Sequence, residues 1–481
     1  MKAKLFADEN RKWWTLVAVS FGLFMIMLDN TVVNVALPSM QRSLNLKISE
    51  LEWVVTGYAL TFGAFMLTGG KLADLFGRRL MFVVGLVVFT ASSLACGLAG
   101  DANVLIGARV IQGLGAALMN PATLSIITVT FPPKQRGTAI GIWAGVSALA
   151  LAIGPLVGGL ITQHINWNWI FFINVPIGAL AVAAAYAFID ESRDESHEQK
   201  PDIPGLLTSA LGLFALTYGL IESNNYGWGS TRIIGSLVVA AIALGGFVAL
   251  ELHQRLPMLD LALFKNRTFA GANGVMLLVA LAMFGVFFYV SLYMQQVLGY
   301  SPVQAGAAFL PMTILIILIA PQAGRLTDKI GARWLVGGGM FLLAASLFLF
   351  SRMGVQANFW TLLPAMILGG GGMGLVMTPT TATAMGAVQR DKAGVGSAVL
   401  NSMRQVGGSL GIALMGTIIA SRTASSLKLG NPQPVAFVHG LHGGLEIAAL
   451  IALFGSLIAV LTLRKVQHAP DPASAPAFEA A

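Results

Sequence analysis

The sequence contains little charge. Only 10% of its 481 residues are Asp, Glu, Lys or Arg, whereas about a quarter are charged in an ordinary soluble domain. At the same time 56% of the residues are hydrophobic, and the mean hydropathy is +0.77. A soluble globular protein has too little interior to bury so much apolar surface. The composition therefore excludes a soluble fold and indicates a membrane protein.

Motifs for cofactors, metals and catalysis are also missing. The single cysteine, Cys96, excludes an intrachain disulfide and is interpreted as a small buried hydrophobic residue. There is no G-x-x-x-x-G-K-[ST] phosphate loop, and the six histidines are scattered apart from His439 and His442. A G-x-G-x-x-G match at 369–374 lies in an apolar run with no preceding strand, which favours helix packing. We therefore expect no cofactor, no metal and no catalytic residue.

Long apolar runs are what the sequence does contain. A hydrocarbon core about 30 Å thick needs about 20 apolar residues per helix, and Gly, Pro, Asn and charge clusters separate such runs here. The first run is too long for a signal-peptide core. No run shows the alternating pattern of barrel strands, so an all-α membrane protein is predicted. The predicted spans are 14–35, 53–73, 80–99, 104–129, 138–162, 169–189, 203–222, 233–252, 268–291, 303–323, 334–352, 359–385, 395–420 and 441–463.

The basic residues predict the orientation of the fourteen spans. If the N-terminus is cytoplasmic, 21 Lys and Arg residues fall at cytoplasmic ends and six on the other side, and two more, Arg109 and Arg404, lie within spans. By the positive-inside rule both termini are then cytoplasmic, in an inner membrane. This distribution accounts for the net charge of +8, so nucleic-acid binding is not needed to explain it.

A repeat relates the two ends of the chain. The segment 70–79 recurs at 324–333, where Asp74 and Gly77 correspond to Asp328 and Gly331 at one offset of 254. A weaker echo links 134–137 with 390–394. Parallel repeats around a central cavity are typical of secondary transporters.

The repeat predicts a division of the chain into six, two and six helices. Residues 1–190 would form an N-terminal six-helix half, and residues 191–267 a linker with two inserted helices. Residues 268–463 would form the C-terminal half, followed by a cytoplasmic tail at 464–481. Because the inserted helices interrupt a repeat that already suffices to build a cavity, we expect them to be peripheral to the transport path.

Two charged residues are predicted to meet inside the membrane. At about 1.5 Å per residue, Asp29 lies about 22 Å from the cytoplasmic end of its span and Arg109 about 8 Å from the external end of its own, which is the same depth. A structural salt bridge is one interpretation, and a proton-responsive pair is the other. Asp29 is the only acidic residue that these predicted spans place well inside the membrane.

Further candidates follow from polar and helix-breaking residues. Asp74 can cap the N-terminus of a helix or pair with a basic residue. Because its motif recurs in the second half of the chain, a solvent-exposed turn without a further role is the less favoured interpretation. The Gly-Pro pair at 154–155 favours a helix that bends or rocks, although packing explains much of its glycine content. Arg404, near the midplane, must face a cavity or a partner. The candidate groups are Asn34, Gln112, Glu222 and Arg404 for a substrate cavity, and Gly70, Asp74, Gly77, Arg78, Gly154, Pro155 and Asp328 for conformational change; Glu222 is equally consistent with an interfacial residue.

Together these segments resemble the major facilitator superfamily, and specifically its fourteen-helix drug:proton antiporter branch of the QacA/EmrB-like type. The similarity spans nearly the whole chain. One departure is Asn168, which stands between two tryptophans where many relatives have Arg. The segments that carry the resemblance are 28–38, 70–79, 109–115, 145–159, 171–178, 218–222 and 404–408.

The resemblance implies alternating access by rocking of two six-helix halves. It assigns proton coupling to Asp29 and Arg109 and antiport bending to Gly154 and Pro155. The expected function is proton-coupled efflux of lipophilic, often cationic small molecules, with protons and the lipid bilayer as the other partners; whether a periplasmic adaptor takes part is left open. Alternatives are a dedicated exporter of one metabolite or lipid and, in another class, a nutrient importer of the same fold. A membrane-embedded enzyme or sensor is disfavoured because no catalytic constellation or soluble domain is found.

Overall fold

A computed structural model describes residues 8–193, 202–254, 257–388 and 393–463. Within them, fourteen helices are long and apolar enough to cross a membrane, which confirms the predicted fold class. We number them α1 to α14. Two of them, α6 and α10, consist of two consecutive helical segments each. The helices are α1 (Asp8–Leu44), α2 (Ile48–Phe76), α3 (Arg78–Gly97), α4 (Ala102–Thr130), α5 (Pro133–His164), α6 (Trp169–Phe172 and Asn174–Phe188), α7 (Ile203–Tyr226), α8 (Thr231–His253), α9 (Arg267–Gln296), α10 (Pro302–Ala308 and Leu310–Ile330), α11 (Ala332–Phe350), α12 (Phe359–Gly386), α13 (Ala393–Lys428) and α14 (Gln433–Thr462).

Most helices are longer than predicted. The first span was predicted at 14–35, yet α1 runs from Asp8 to Leu44. Its extra turns fit the headgroup regions, which widen a bilayer to about 40–45 Å and solvate polar side chains. Likewise, the second span was predicted at 53–73, whereas α2 runs from Ile48 to Phe76 and so contains most of the repeated segment 70–79. The turn is made by Gly77 alone, at φ +122°, and its repeat partner Gly331 also has positive φ, +82°.

An even number of spans places both ends of the bundle on one face, which we call the terminal face; the other is the opposite face. For the description we call α1 to α6 the first half and α9 to α14 the second half; the most extensive contacts between them are those of α2 with α13, α5 with α10 and α1 with α9. Helix α8 packs mainly on α7, and α7 packs against α2 and α13. The predicted insertion, α7 and α8, therefore lies on the outer side of the contact between α2 and α13, which we call a seam. That these two helices are peripheral to the transport path stays a prediction.

The two halves are held together at the opposite face. One apolar core joins the end of α1, including Val32 and Met40, to the second half, whereas the core of the first half near the terminal face is a separate cluster. Of the described hydrogen bonds between the halves, that from Ser402 Oγ to the Gly63 carbonyl is near mid-depth. The others, such as Gln296 Nε2 to Gln41 Oε1 at 2.6 Å, lie towards the opposite face. The structure is thus closed at that face.

Glycines along α5 show the same asymmetry. A Cβ atom placed on Gly141 or Gly145, towards the terminal face, would meet nothing within 4 Å. A Cβ atom on Gly158 would lie 2.6 Å from the Val32 carbonyl oxygen, and one on Gly159 would lie 2.5 Å from the Pro302 carbonyl oxygen of the other half. Helix α5 is therefore tightly packed at one end and loosely packed at the other.

Candidate functional site

A buried ionic cluster joins α1 to α4 inside the bundle. Arg109 Nη1 donates to Asp29 Oδ2 at 2.6 Å and to Gln112 Oε1 at 2.7 Å. Gln112 Nε2 donates to the second oxygen, Asp29 Oδ1, at 3.2 Å. The structure thus places Asp29 and Arg109 in contact, as their depths indicated. Their role in proton coupling stays a prediction.

Position along the helices explains why these side chains meet. Arg109 and Gln112 are three residues apart and therefore lie on one face of α4. The Arg109 Nε atom donates to the Val54 carbonyl at 3.0 Å, which ties the cluster to α2 as well. Both charged side chains are at most 1% exposed. Because a charge out of water is costly unless paired, each member of this pair stabilises the ionised form of the other.

Aromatic rings shield the pair from water. The Arg109 guanidinium lies 4.2 Å from the centroid of the Tyr58 ring and 5.8 Å from that of Phe171. Cys96 is buried, as interpreted, and its thiol lies 3.7 Å from Gln112 Oε1. Removing solvent strengthens the Coulomb attraction inside the cluster. Both Asp29 oxygens face donors, so this arrangement suits the ionised carboxylate, and protonation of Asp29 would weaken its bond to Arg109.

The conformational motif lies at the terminal face, between α2 and α3. Arg78 donates to Asp74 Oδ1 from Nε at 3.0 Å and from Nη2 at 2.9 Å. Glu191, the first residue of the predicted linker after α6, accepts from the backbone N–H groups of Arg79 and Leu80 at 3.0 Å each. A carboxylate at these N–H groups is stabilised by the α3 dipole. These contacts involve no residue of the second half.

Of the remaining motif residues, Gly70, Gly154 and Pro155 lie at contacts between helices. Gly70 lies against Pro121 of α4, since a Cβ there would be 3.5 Å from the proline Cβ. A Cβ on Gly154 would collide with the Thr31 hydroxyl of α1, and one on Gly306 with the Pro155 carbonyl. The Gly-Pro pair therefore sits where α5 touches both α1 and α10. The side chain of Asp328 lies outside the described part of the structure.

The four residues predicted to line a substrate cavity do not all lie in one part of the structure. Gln112 belongs to the ionic cluster. The Asn34 carbonyl accepts from Ser291 at 3.0 Å in the α1–α9 seam. Glu222 accepts from Trp53 Nε1 at 3.3 Å, in the seam between α7 and α2. Arg404, on α13, has a buried Nε atom without a hydrogen-bond partner among the described residues.

Three acids that are buried in the described part of the chain, Glu52, Asp202 and Glu251, were not predicted as sites, and Glu52 is the one that contacts the other half. Glu52 is 3% exposed, although it lies only about 6 Å from the opposite-face end of α2. Its Oε1 atom lies 2.7 Å from the hydroxyl oxygen of Tyr289, on α9. The second span was predicted to begin at 53, which left Glu52 in a loop; the helix begins at Ile48. A longer predicted span would have flagged it.

Fold and site together define a polytopic α-helical membrane transporter. The family model described as "Major Facilitator Superfamily" matches residues 19–412. The chain belongs to the major facilitator superfamily, and it is a multi-pass membrane transporter and not an enzyme.

Several relatives are known by name. The chain is 37% identical over 414 residues to the "Tetracenomycin C resistance and export protein" of Streptomyces glaucescens, covering 86% of this chain and 77% of the relative. It is 37% identical over 450 residues to the "Puromycin resistance protein pur8" of Streptomyces alboniger, covering 92% and 89%. It is 36% identical over 417 residues to the "Multidrug resistance protein Stp" of Mycobacterium tuberculosis, covering 86% and 77%.

Solved structures show the same fold. The bacterial homologue of the human lysosomal transporter Spinster, in an inward-facing and unoccupied conformation, aligns with a TM-score of 0.69 at 17% identity. The alignment covers 97% of this chain and 100% of that one. At this identity the likeness concerns the fold alone.

Proposed function

We propose that the protein is a proton-coupled exporter that exchanges protons for small lipophilic molecules, many of them cationic. The observation that carries the proposal is the buried Asp29–Arg109–Gln112 cluster inside a bundle whose halves are closed at the opposite face. An intramembrane carboxylate of this kind is typical of proton relays in transporters. The names of the relatives, which refer to resistance and export, support the direction of transport.

The proposed membrane orientation puts the terminal face in the cytoplasm. The excess of Lys and Arg near that face supports this assignment by the positive-inside rule. The protein would then reside in the cytoplasmic membrane with both termini inside, and the closed opposite face would be external. The division into two halves at residues 190 and 268 is part of the same proposal.

Coupling would follow from competition for one carboxylate. The ionised Asp29 pairs with Arg109 when the external face is closed. A cationic substrate would compete with Arg109 for that carboxylate, and a proton that neutralises Asp29 would release the substrate. The Gly154–Pro155 contact between α5 and both neighbouring helices would act as the pivot.

Arg404 is proposed to position substrates. Its Nε atom, the Gln405 Nε2 atom and the Tyr58 hydroxyl are buried and have no hydrogen-bond partner among the described residues. Since unpartnered buried polar groups are costly, these donors suit acceptor groups on a bound molecule. A site of this kind also fits the second candidate, export of one endogenous product, because two relatives are named after single antibiotics.

Everted membrane vesicles with an imposed pH gradient test the proposal. We expect wild-type vesicles to accumulate ethidium or puromycin when the lumen is acidic, and Asp29→Asn vesicles to lose this accumulation. Asp190→Asn is the matched control, because Asp190 is an exposed acid paired with Arg11 at the surface. Loss of a preloaded polar nutrient from the acidic lumen, with no accumulation of either compound, would favour an importer, and full activity of Asp29→Asn would remove Asp29 as the coupling site.

A further inference from the structure

A carboxyl group lies in the seam where the two halves close. Glu52 is four residues into α2, about 6 Å along the helix from its end at the opposite face. Its Oε1 atom is 2.7 Å from the Tyr289 hydroxyl oxygen of the other half. Gly416 of α13 packs directly against the same carboxyl, and a Cβ there would collide with it. Three helices from both halves therefore enclose Glu52.

The number of hydrogens available for the contacts of the Tyr289 hydroxyl favours a protonated, uncharged Glu52. The Tyr289 hydroxyl oxygen is also 3.3 Å from the Ile412 carbonyl oxygen. A phenol has one hydrogen to donate, so it satisfies only one of these two acceptors if Glu52 is ionised. If Glu52 is a carboxylic acid, it donates to the Tyr289 oxygen and Tyr289 donates to Ile412. The protonated acid gives each of the two contacts a hydrogen of its own.

The surroundings of Glu52 disfavour its anion as well. Among the described residues no ion pair includes Glu52. The titratable groups that face it are Tyr289 on α9 and Glu222 on α7, and neither side chain can carry a positive charge. On α4 the nearest base, Arg109, is bonded to Asp29. A buried carboxylate without a cation is costly, whereas separation of the halves would expose Glu52 to water.

We propose that Glu52 is a second proton-binding site, which takes up a proton when the halves close at the opposite face and releases it when they separate. This gating role builds on the proposed proton-driven export. Because Glu52 lies on the opposite-face side of the seam, its proton exchanges with that side only. It would regulate closure and carry no net proton, unlike Asp29. Protons outside would thus promote closure after substrate release.

A distance measurement tests the proposal without any transport assay. Spin labels on Ser43 of α1 and Gln356, between α11 and α12, lie on exposed positions of different halves at the opposite face. Cys96 is buried and can stay in place. In lipid nanodiscs we expect the closed population of the wild type to fall as pH rises from roughly 5 to 9, by at most about tenfold per pH unit for one proton. The Glu52→Gln variant, which mimics the neutral acid, should stay closed throughout.

Two further variants sharpen the result. Tyr289→Phe keeps the ring but removes the hydroxyl partner, and we expect a smaller closed population at low pH. Glu50→Gln is the matched control on the same helix, since its side-chain carbonyl can still cap the Lys47 N–H, and it should behave as the wild type. The same pH response in Glu52→Gln as in the wild type would overturn the proposal.

The outcome is separable from that of the proposed function. If Glu52→Gln removes the pH response of the distance while vesicles show no proton-driven export, the gate proposal stands and the export proposal fails. If export is proton-driven but Glu52→Gln and the wild type open alike with pH, the gate proposal fails and the export proposal stands.

Discussion

Replacing Gly159 by alanine should shift the protein away from the conformation described here. The new Cβ would lie 2.5 Å from the Pro302 carbonyl oxygen and 2.9 Å from the Pro302 carbonyl carbon and Val303 Cα. Backbone atoms of the other half cannot yield as a flexible side chain would. Overpacking of this kind costs about 1–3 kcal/mol. Because the clash exists only while α5 touches α10, that cost falls on the closed state alone and lowers its population roughly 5- to 150-fold relative to the open state.

The spin-label pair at Ser43 and Gln356 measures this shift. We expect Gly159→Ala to broaden and lengthen the distance distribution at a pH where the wild type is closed. Gly145→Ala is the matched control, since a Cβ there meets nothing within 4 Å on the same helix. A folded Gly159→Ala protein with the distance distribution of the wild type would refute the α5–α10 closure.

Three further outcomes are expected. In a double-mutant cycle, Asp29→Asn and Arg109→Gln should each destabilise the protein by about 3–5 kcal/mol, and the double variant should lose clearly less than the sum of the two. Thermal unfolding measures these losses. Additive losses would show that the two side chains are not coupled. Asp74→Asn should slow transport and leave substrate binding nearly intact, because its bonds to Arg78 lie at a helix end away from the cluster; binding titrations beside flux measurements decide, and equal loss of both would contradict it. Arg404→Gln should weaken export of anionic compounds more than that of cationic ones, as competition assays with both kinds would show; uniform loss would oppose a positioning role.

Helix number and the ionic pair were predictable because both depend on local rules. Apolar run length predicts spans in a bilayer of known thickness, and the rise per residue then gives the depth of Asp29 and Arg109. The contact at 2.6 Å agrees with that arithmetic. Gln112 follows from helical spacing, since it is three residues beyond Arg109.

Glu52 was missed because its burial comes from tertiary contact. The acidic start of α2 is typical of a solvated helix end, and Tyr289, which covers it, is 237 residues away in sequence. The different surroundings of the α5 glycines also come from tertiary contact. Sequence alone does not distinguish Gly145, which faces open space, from Gly159, which touches the other half. For Glu52 and for these glycines, the surroundings are set by the helix that packs against the residue from the other half.

The central claim, exchange of protons for substrate through Asp29, is tested most directly by recording proton movement during substrate flow. Proteoliposomes are loaded with ethidium and a pH-sensitive dye, with no pH gradient imposed, and then diluted into ethidium-free buffer. Ethidium carries a fixed positive charge and has no group that gains or loses a proton near neutral pH, so the account predicts that the lumen acidifies as ethidium leaves through the wild type. Asp29→Asn, with Asp190→Asn as control, should show no acidification. Ethidium efflux through the wild type without acidification, or acidification by Asp29→Asn equal to that of the wild type, would contradict the account.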